Sequence, residues 1–168
     1  MRRTDHLPAA RALTLLRVAL GGALLWAAFG KFALHEIWGL PLPMVSAHWQ
    51  QELPVRFAGW LEKHPSGVVG AVVRDLLLPK GALVAGMIGW LQLLAGTCLV
   101  VGLFTRVAAF AALLVASALA IAAAAALQAD ARPYALMMLL AVALMLGRAG
   151  EVWGMDGWRR ERRRVREF

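Results

Sequence analysis

Apolar residues along this 168-residue chain fall in long blocks, not in narrow helical stripes or strict alternation. Four blocks stand out, at about residues 10–32, 81–103, 107–127 and 131–147. A run of about 20 apolar residues reads as a helix that crosses a lipid bilayer. The pattern therefore predicts an all-α fold, an integral membrane four-helix bundle. The first block is interrupted early. Its unbroken part, Val18 to Gly30, rises only about 20 Å as a helix, less than the roughly 30 Å hydrocarbon thickness. Arg17 and Lys31 bracket that part, so each must reach out to the headgroups or face the bundle interior. Pro133 suits the first turn of the fourth span, whose short apolar part predicts little tilt or a thinned bilayer.

The connections are unequal. Thr105 and Arg106 alone join spans two and three, and Gln128 to Arg132 join spans three and four. Links this short impose antiparallel neighbours. Spans one and two are separated by the loop 33–80, long enough to carry structure or function. Within it, Pro54 is placed to open a helix through Phe57, Trp60, Leu61 and His64, with Arg56, Glu62 and Lys63 on its other side. A second apolar stretch, Gly67 to Leu78, sets Gly67, Gly70 and Arg74 on one narrow face. Both are too short to span and predict short interfacial helices in the outer loop. Trp38, Trp49 and Trp60 fit a headgroup-level aromatic belt. The pairs Ala82–Gly86 and Ala85–Gly89, and alanines at 108, 112, 116, 120 and 124, predict close helix packing.

Composition agrees with a membrane protein. The chain is 61% hydrophobic, above the usual half for soluble domains, with mean hydropathy +0.65. The net charge of +8 is concentrated at the ends, at Arg2, Arg3 and Arg11 and in a tail, 159–168, containing Arg159, Arg160, Arg162, Arg163, Arg164 and Arg166. No aromatic–basic interleaving accompanies it, which argues against nucleic acid. Placing both termini in the cytoplasm puts two thirds of the 18 lysines and arginines on that side, as the positive-inside rule requires. The loop 33–80 is then on the outer face. The tail is expected to lie on anionic lipid or to dock another membrane or peripheral subunit. Apolar character persists to Phe32 with no clean small-x-small site, so the first span is not expected to be a cleaved leader. Cys98, the single cysteine, can form neither an internal disulfide nor a redox pair and reads as a packing residue.

Several of these segments resemble one family. Arg17, Gly21, Trp26, Gly30 and Lys31 in RVALGGALLWAAFGKF resemble the first span of the DoxX/DoxD family of small membrane proteins. The segment around Pro79, Gly96 and the run Gly102–Arg106 (GLFTR) resembles its next part, and GEVWGMDGW, with Trp153, Asp156 and Trp158, is similar to its closing pattern. The resemblance covers about residues 17–158 and treats 1–158 as a single transmembrane domain. It implies a multi-pass protein of a bacterial or archaeal plasma (inner) membrane. It further implies a subunit of a quinone- or sulfur-linked redox system, or a non-catalytic accessory subunit that anchors a larger complex. Where the family often carries an acidic residue early in the second span, this chain has Gln92, and an amide cannot relay protons.

The residues themselves offer few chemical groups. There is no Gly-rich nucleotide loop, dithiol or nucleophile–base pair in the sequence. No covalently bound cofactor is expected, and electrons would have to come from a partner or a diffusible carrier such as quinone. Lys31, with Trp26 nearby, is either a cation that holds an anionic substrate or quinone oxygen, or a snorkelling anchor. Gln92 either bonds across helices or contacts a ligand headgroup. Arg17 faces Gln92 or a cavity, or snorkels. His35 beside Glu36, with His48 and His64, lies in the outer loop; the spacings match no zinc pattern, and no metal site is expected. Thr105 and Arg106 are read as a structural turn, with Arg106 capping span two or pairing with Asp156.

Overall fold

The computed structural model describes residues 7–37, 40–64, 67–125 and 132–147. The chain is predominantly helical. Helix α1 spans Leu7–Phe29, α4 Gly81–Val101 and α5 Thr105–Ala125. These three are long and apolar enough to cross a membrane, which marks a membrane protein. Helix α6, Arg132–Leu146, is apolar but shorter. Its 15 residues rise about 22 Å.

The packing follows the small residues. Helix α1 lies against α4, α4 against α5, α5 against α6, and α6 back against α1. Gly21 and Gly96 make the α1–α4 approach. A β-carbon on Gly21 would stand 2.9 Å from Gly96 O, and one on Gly96 would stand 2.9 Å from Leu25 Cγ. Close approach at glycine is how helices gain contact where surrounding lipid is as apolar as the side chains. On α5 the first three of the spaced alanines, Ala108, Ala112 and Ala116, are buried, while Ala120 is half-buried and Ala124 exposed. Of the two small pairs on α4, Ala85–Gly89 turns inward. Ala82 is exposed, and nothing lies above Gly86.

The α4–α5 connection is displaced from its expected place. Thr105 and Arg106 do not form the link; they open α5. The turn is Gly102–Leu103–Phe104. Gly102 adopts φ 74°, the left-handed conformation that glycine tolerates best and that ends helices. Its N–H and that of Leu103 both donate to Cys98 O at 2.9 Å. Phe104 O then accepts from Ala108 N at 3.0 Å, so α5 starts earlier than its apolar run suggests.

The segment between α1 and α4 departs most from expectation. It contains the only strands among the described residues, an antiparallel hairpin of β1, Phe32–Ile37, and β2, Leu40–Val45. Pro41 and Pro43 sit in β2. Their spacing of two turns both missing donors to the same edge, away from β1, where a strand tolerates them. Trp38 lies outside the described residues.

Helix α2 then runs over Ala47–Lys63, with the Ser46 hydroxyl accepting from Trp49 N at 3.3 Å as its N-cap. Pro54 therefore lies inside the helix and does not open it. Its ring is accommodated against Gly81, where any β-carbon would collide with Pro54 Cγ and Cβ. Nor is α2 a surface cap. Trp49, Leu53 and Phe57, one turn apart, are buried with Val73, Ala85, Ile88, Val115 and Leu119. Helix α3, Val68–Val72, leads into a π-helical turn, Val73–Leu77. There Gly70 and Val73 face inward and Arg74 outward, so Gly67, Gly70 and Arg74 do not share one environment.

Two apolar cores result. One joins Leu20, Leu24, Ala95, Leu99, Ala108, Ala112 and Leu144 of α1, α4, α5 and α6. The other is the α2-centred core at the hairpin end.

Candidate functional site

The polar groups gather where α1 ends and the hairpin begins. Lys31 N donates to Ala28 O at 2.8 Å, and Lys31 Nζ donates to Ala27 O at 2.8 Å. The side chain thus satisfies a carbonyl at the negative end of α1, where a cation is favoured. The hairpin returns the chain to the same place, and Ser46 N donates to Lys31 O at 2.9 Å. One turn into α2, the Trp49 ring lies under the ammonium, with Nζ 4.8 Å from its centroid. That is within cation–π range. Trp49 is itself fixed, since its buried indole Nε1 donates to Ala85 O of α4 at 3.1 Å.

Further along the same helix, Glu52 accepts from Arg56 and stands 3.6 Å from His48 Nε2. Lys31 titrates low, at about 8 against an ordinary 10.5, first because it is withdrawn from water and second because Arg56 is close. Arg56 is thus close enough to act on the half-buried Lys31, while its own charge is paired with the Glu52 carboxylate. Gly89 of α4 faces the hairpin. A β-carbon there would meet Val45 Cγ2 at 3.2 Å and Phe32 Cε2 at 3.7 Å, so the hairpin root sits directly on α4.

Gln92 lies one turn deeper along α4. It is 1% exposed, and neither its amide nitrogen nor its amide oxygen has a hydrogen-bond partner. It occupies the stripe Ala85–Ile88–Gln92–Ala95–Leu99, at the seam where Ile88 of one core gives way to Ala95 of the other. A buried amide left without partners is costly. The interhelical hydrogen bond that the sequence allowed is not made.

Compared with known proteins, the chain matches no family model, no curated protein and no solved structure.

Of the residues singled out in the sequence, Lys31 is the one that the fold places in a built polar environment. Trp26 is not part of it. It is 84% exposed, because Leu24, Ala28 and Lys31 take the inward stripe of α1 and Trp26, two residues from Leu24 and Ala28, points the other way. Arg17 is buried and faces inward. It sits 11 residues before Ala28, about 16 Å along the helix, so it belongs to the other end. His35 falls in β1 opposite Leu42, and Glu36 opposite Pro41. His48 and His64 are both exposed, about 24 Å apart along α2, which rules out one shared three-histidine site. Among the described residues no three His, Cys, Asp or Glu side chains come together as metal ligands. Thr105 is buried and Arg106 exposed, and both sit in the first turn of α5. Asp156 and the tail arginines from Arg159 to Arg166 lie outside the described residues.

Sequence reasoning missed Trp49, which it assigned to a headgroup belt. The signal was present in the four-residue spacing of Trp49, Leu53 and Phe57, a buried helix stripe.

Proposed function

We propose that this chain is a DoxX-like integral membrane subunit of a quinone- or sulfur-linked redox system, without a redox centre of its own. In this reading α6 is the fourth span of a membrane bundle, both termini are cytoplasmic, and the hairpin and α2 stand at the outer face. The site binds the anionic headgroup of a substrate at the Lys31 ammonium, beside the Trp49 ring.

The observation that carries this reading is the half-buried Lys31 ammonium, held over the Trp49 ring at 4.8 Å with a second cation, Arg56, nearby. Withdrawal from water and a like charge nearby both raise the cost of the Lys31 ammonium, and an anion beside it relieves that cost. This favours a sulfur oxyanion over a neutral quinone as the group held at Lys31. Quinone remains the diffusible carrier to which electrons pass through a partner subunit. The Gln92 amide offers one donor and one acceptor deeper in the same interior, suited to a second oxygen of the ligand. The test is purification in mild detergent followed by mass spectrometry of what accompanies the chain. A bound oxyanion or quinone, or a stoichiometric sulfur-metabolising enzyme, supports the reading.

A second reading is a non-catalytic accessory subunit that anchors a larger complex. It draws on the outward-facing Ala82 and Gly86 of α4, a surface on which another helix packs closely. Recovery in a large assembly, with no carrier or anion bound to this chain, would favour it.

A further inference from the structure

A groove distinct from the Lys31 site opens on the surface of the molecule. It is bounded by the π-helical turn, α4 and α5, and encloses about 480 Å³. That lies within the roughly 300–1,000 Å³ of ordinary small-molecule sites. Its walls are aliphatic, with Leu77, Val84 and Ile88 as floor and Leu83, Met87 and Leu114 as exposed rim. The single charged residue lining it is Lys80, at one end. No hydrogen bond or ion pair holds the Lys80 ammonium among the described residues.

The geometry points to a binding site for one anionic phospholipid, its acyl chain in the groove and its phosphate on Lys80. Three features select this occupant. The groove follows α4 from Lys80 to Leu91, about 16 Å of helix rise. That matches one leaflet of a roughly 30 Å hydrocarbon layer, so a chain lying in it starts at headgroup level and ends near the midplane. The walls offer no hydrogen-bonding side chain apart from Lys80, as a hydrocarbon tail requires. The cation lies at the end where the headgroup falls, with no carboxylate lining the groove to compete for it. A lysine at that depth favours anionic over zwitterionic lipid. Leu76 and Leu77 of the π-helical turn line the groove. This site is independent of the proposed redox role.

The test is native mass spectrometry of the full chain, titrated in mild detergent with phosphatidylglycerol and, separately, phosphatidylethanolamine. One phosphatidylglycerol should be retained per chain, with a preference of about fivefold, the worth of one lysine at headgroup level. Lys80→Ala should remove the preference while leaving chain binding. Ala118→Phe, which fills the groove from α5, should lower retention of both lipids. Met87→Trp fills it from the exposed rim and repeats the test if the α5 variant misfolds. Circular dichroism confirms that each variant is folded. Equal binding of the two lipids, an unchanged preference in Lys80→Ala, or a groove closed by a second copy of the chain would each overturn the assignment.

Discussion

Lys31 and Trp49 come from opposite sides of the hairpin and meet with the ammonium 4.8 Å from the centre of the indole ring. Each is held from behind, Lys31 by Ala27 O and Trp49 by Ala85 O. The pair therefore ties the end of α1, the start of α2 and the first turns of α4 into one unit. It also places a charge-sensitive fluorophore in direct contact with the proposed anion site.

The protonation of Lys31 should leave a signature in stability. Its folded pKa of about 8 lies below the ordinary 10.5. Between those values the unfolded chain binds more protons than the folded one, so stability rises with pH across that window. Below about pH 8 both states carry the proton and the effect vanishes. Thermal unfolding in detergent from pH 7 to 10 should show a midpoint that climbs above pH 8 in the wild type. In Lys31→Met that pH-dependent rise should be absent.

Gln92→Leu should stabilise the ligand-free protein. It replaces a buried amide with two unpartnered polar atoms by an apolar group of similar size, a relief of about 1–3 kcal/mol. The same variant should bind the headgroup ligand more weakly. An unfolding titration beside a binding titration separates the two effects, and a destabilised Gln92→Leu would show that the amide has a partner within the fold.

The glycines of α1 give a paired contrast. A β-carbon at Gly21 meets Gly96 O and Val100 Cγ2, each at 2.9 Å, while one at neighbouring Gly22 meets nothing within 4 Å. Gly21→Val should therefore cost about 1–3 kcal/mol through overpacking. Gly22→Ala should be neutral or stabilising by up to about 1 kcal/mol through helix propensity. Denaturant titration of both variants in the same detergent checks the difference.

Phe57→Ala tests whether α2 is core or cover. Phe57 is fully buried in the α2-centred core, and removing such a ring costs about 3–5 kcal/mol. A peripheral interfacial helix would lose far less. The measurement is the unfolding midpoint, with exposed Val55→Ala as the control expected to change little.

The long apolar helices were legible because lipid demands a simple pattern. Blocks of hydrophobic residues mark α1, α4, α5 and α6 to within a few residues. The interior of the loop 33–80 was not, because its structure depends on contacts across the sequence. Pro54 reads as a helix start until Gly81, 27 positions later, is seen to leave room for its ring. Two prolines disguise β2, since only pairing with β1 shows that both face a free edge. Lys31 was legible as a charge at the end of an apolar run. Its partner was not, because Trp49 reaches it only through the hairpin. Trp26, adjacent in the resembling segment, was drawn in by proximity in sequence and lies on the opposite side of the helix.

The most direct measurement is a calorimetric titration of thiosulfate into the purified protein, at pH 7 and pH 9, for the wild type and Lys31→Met. Tryptophan emission followed in parallel, in the wild type and in Trp49→Phe, isolates the contribution of Trp49 from the other six tryptophans. The account predicts binding to the wild type at pH 7 with a change in emission. Affinity should fall as pH passes about 8, where Lys31 loses its charge. No binding is predicted to Lys31→Met at either pH. Binding to the wild type that is unchanged at pH 9, or equal binding to the folded variant, would contradict it.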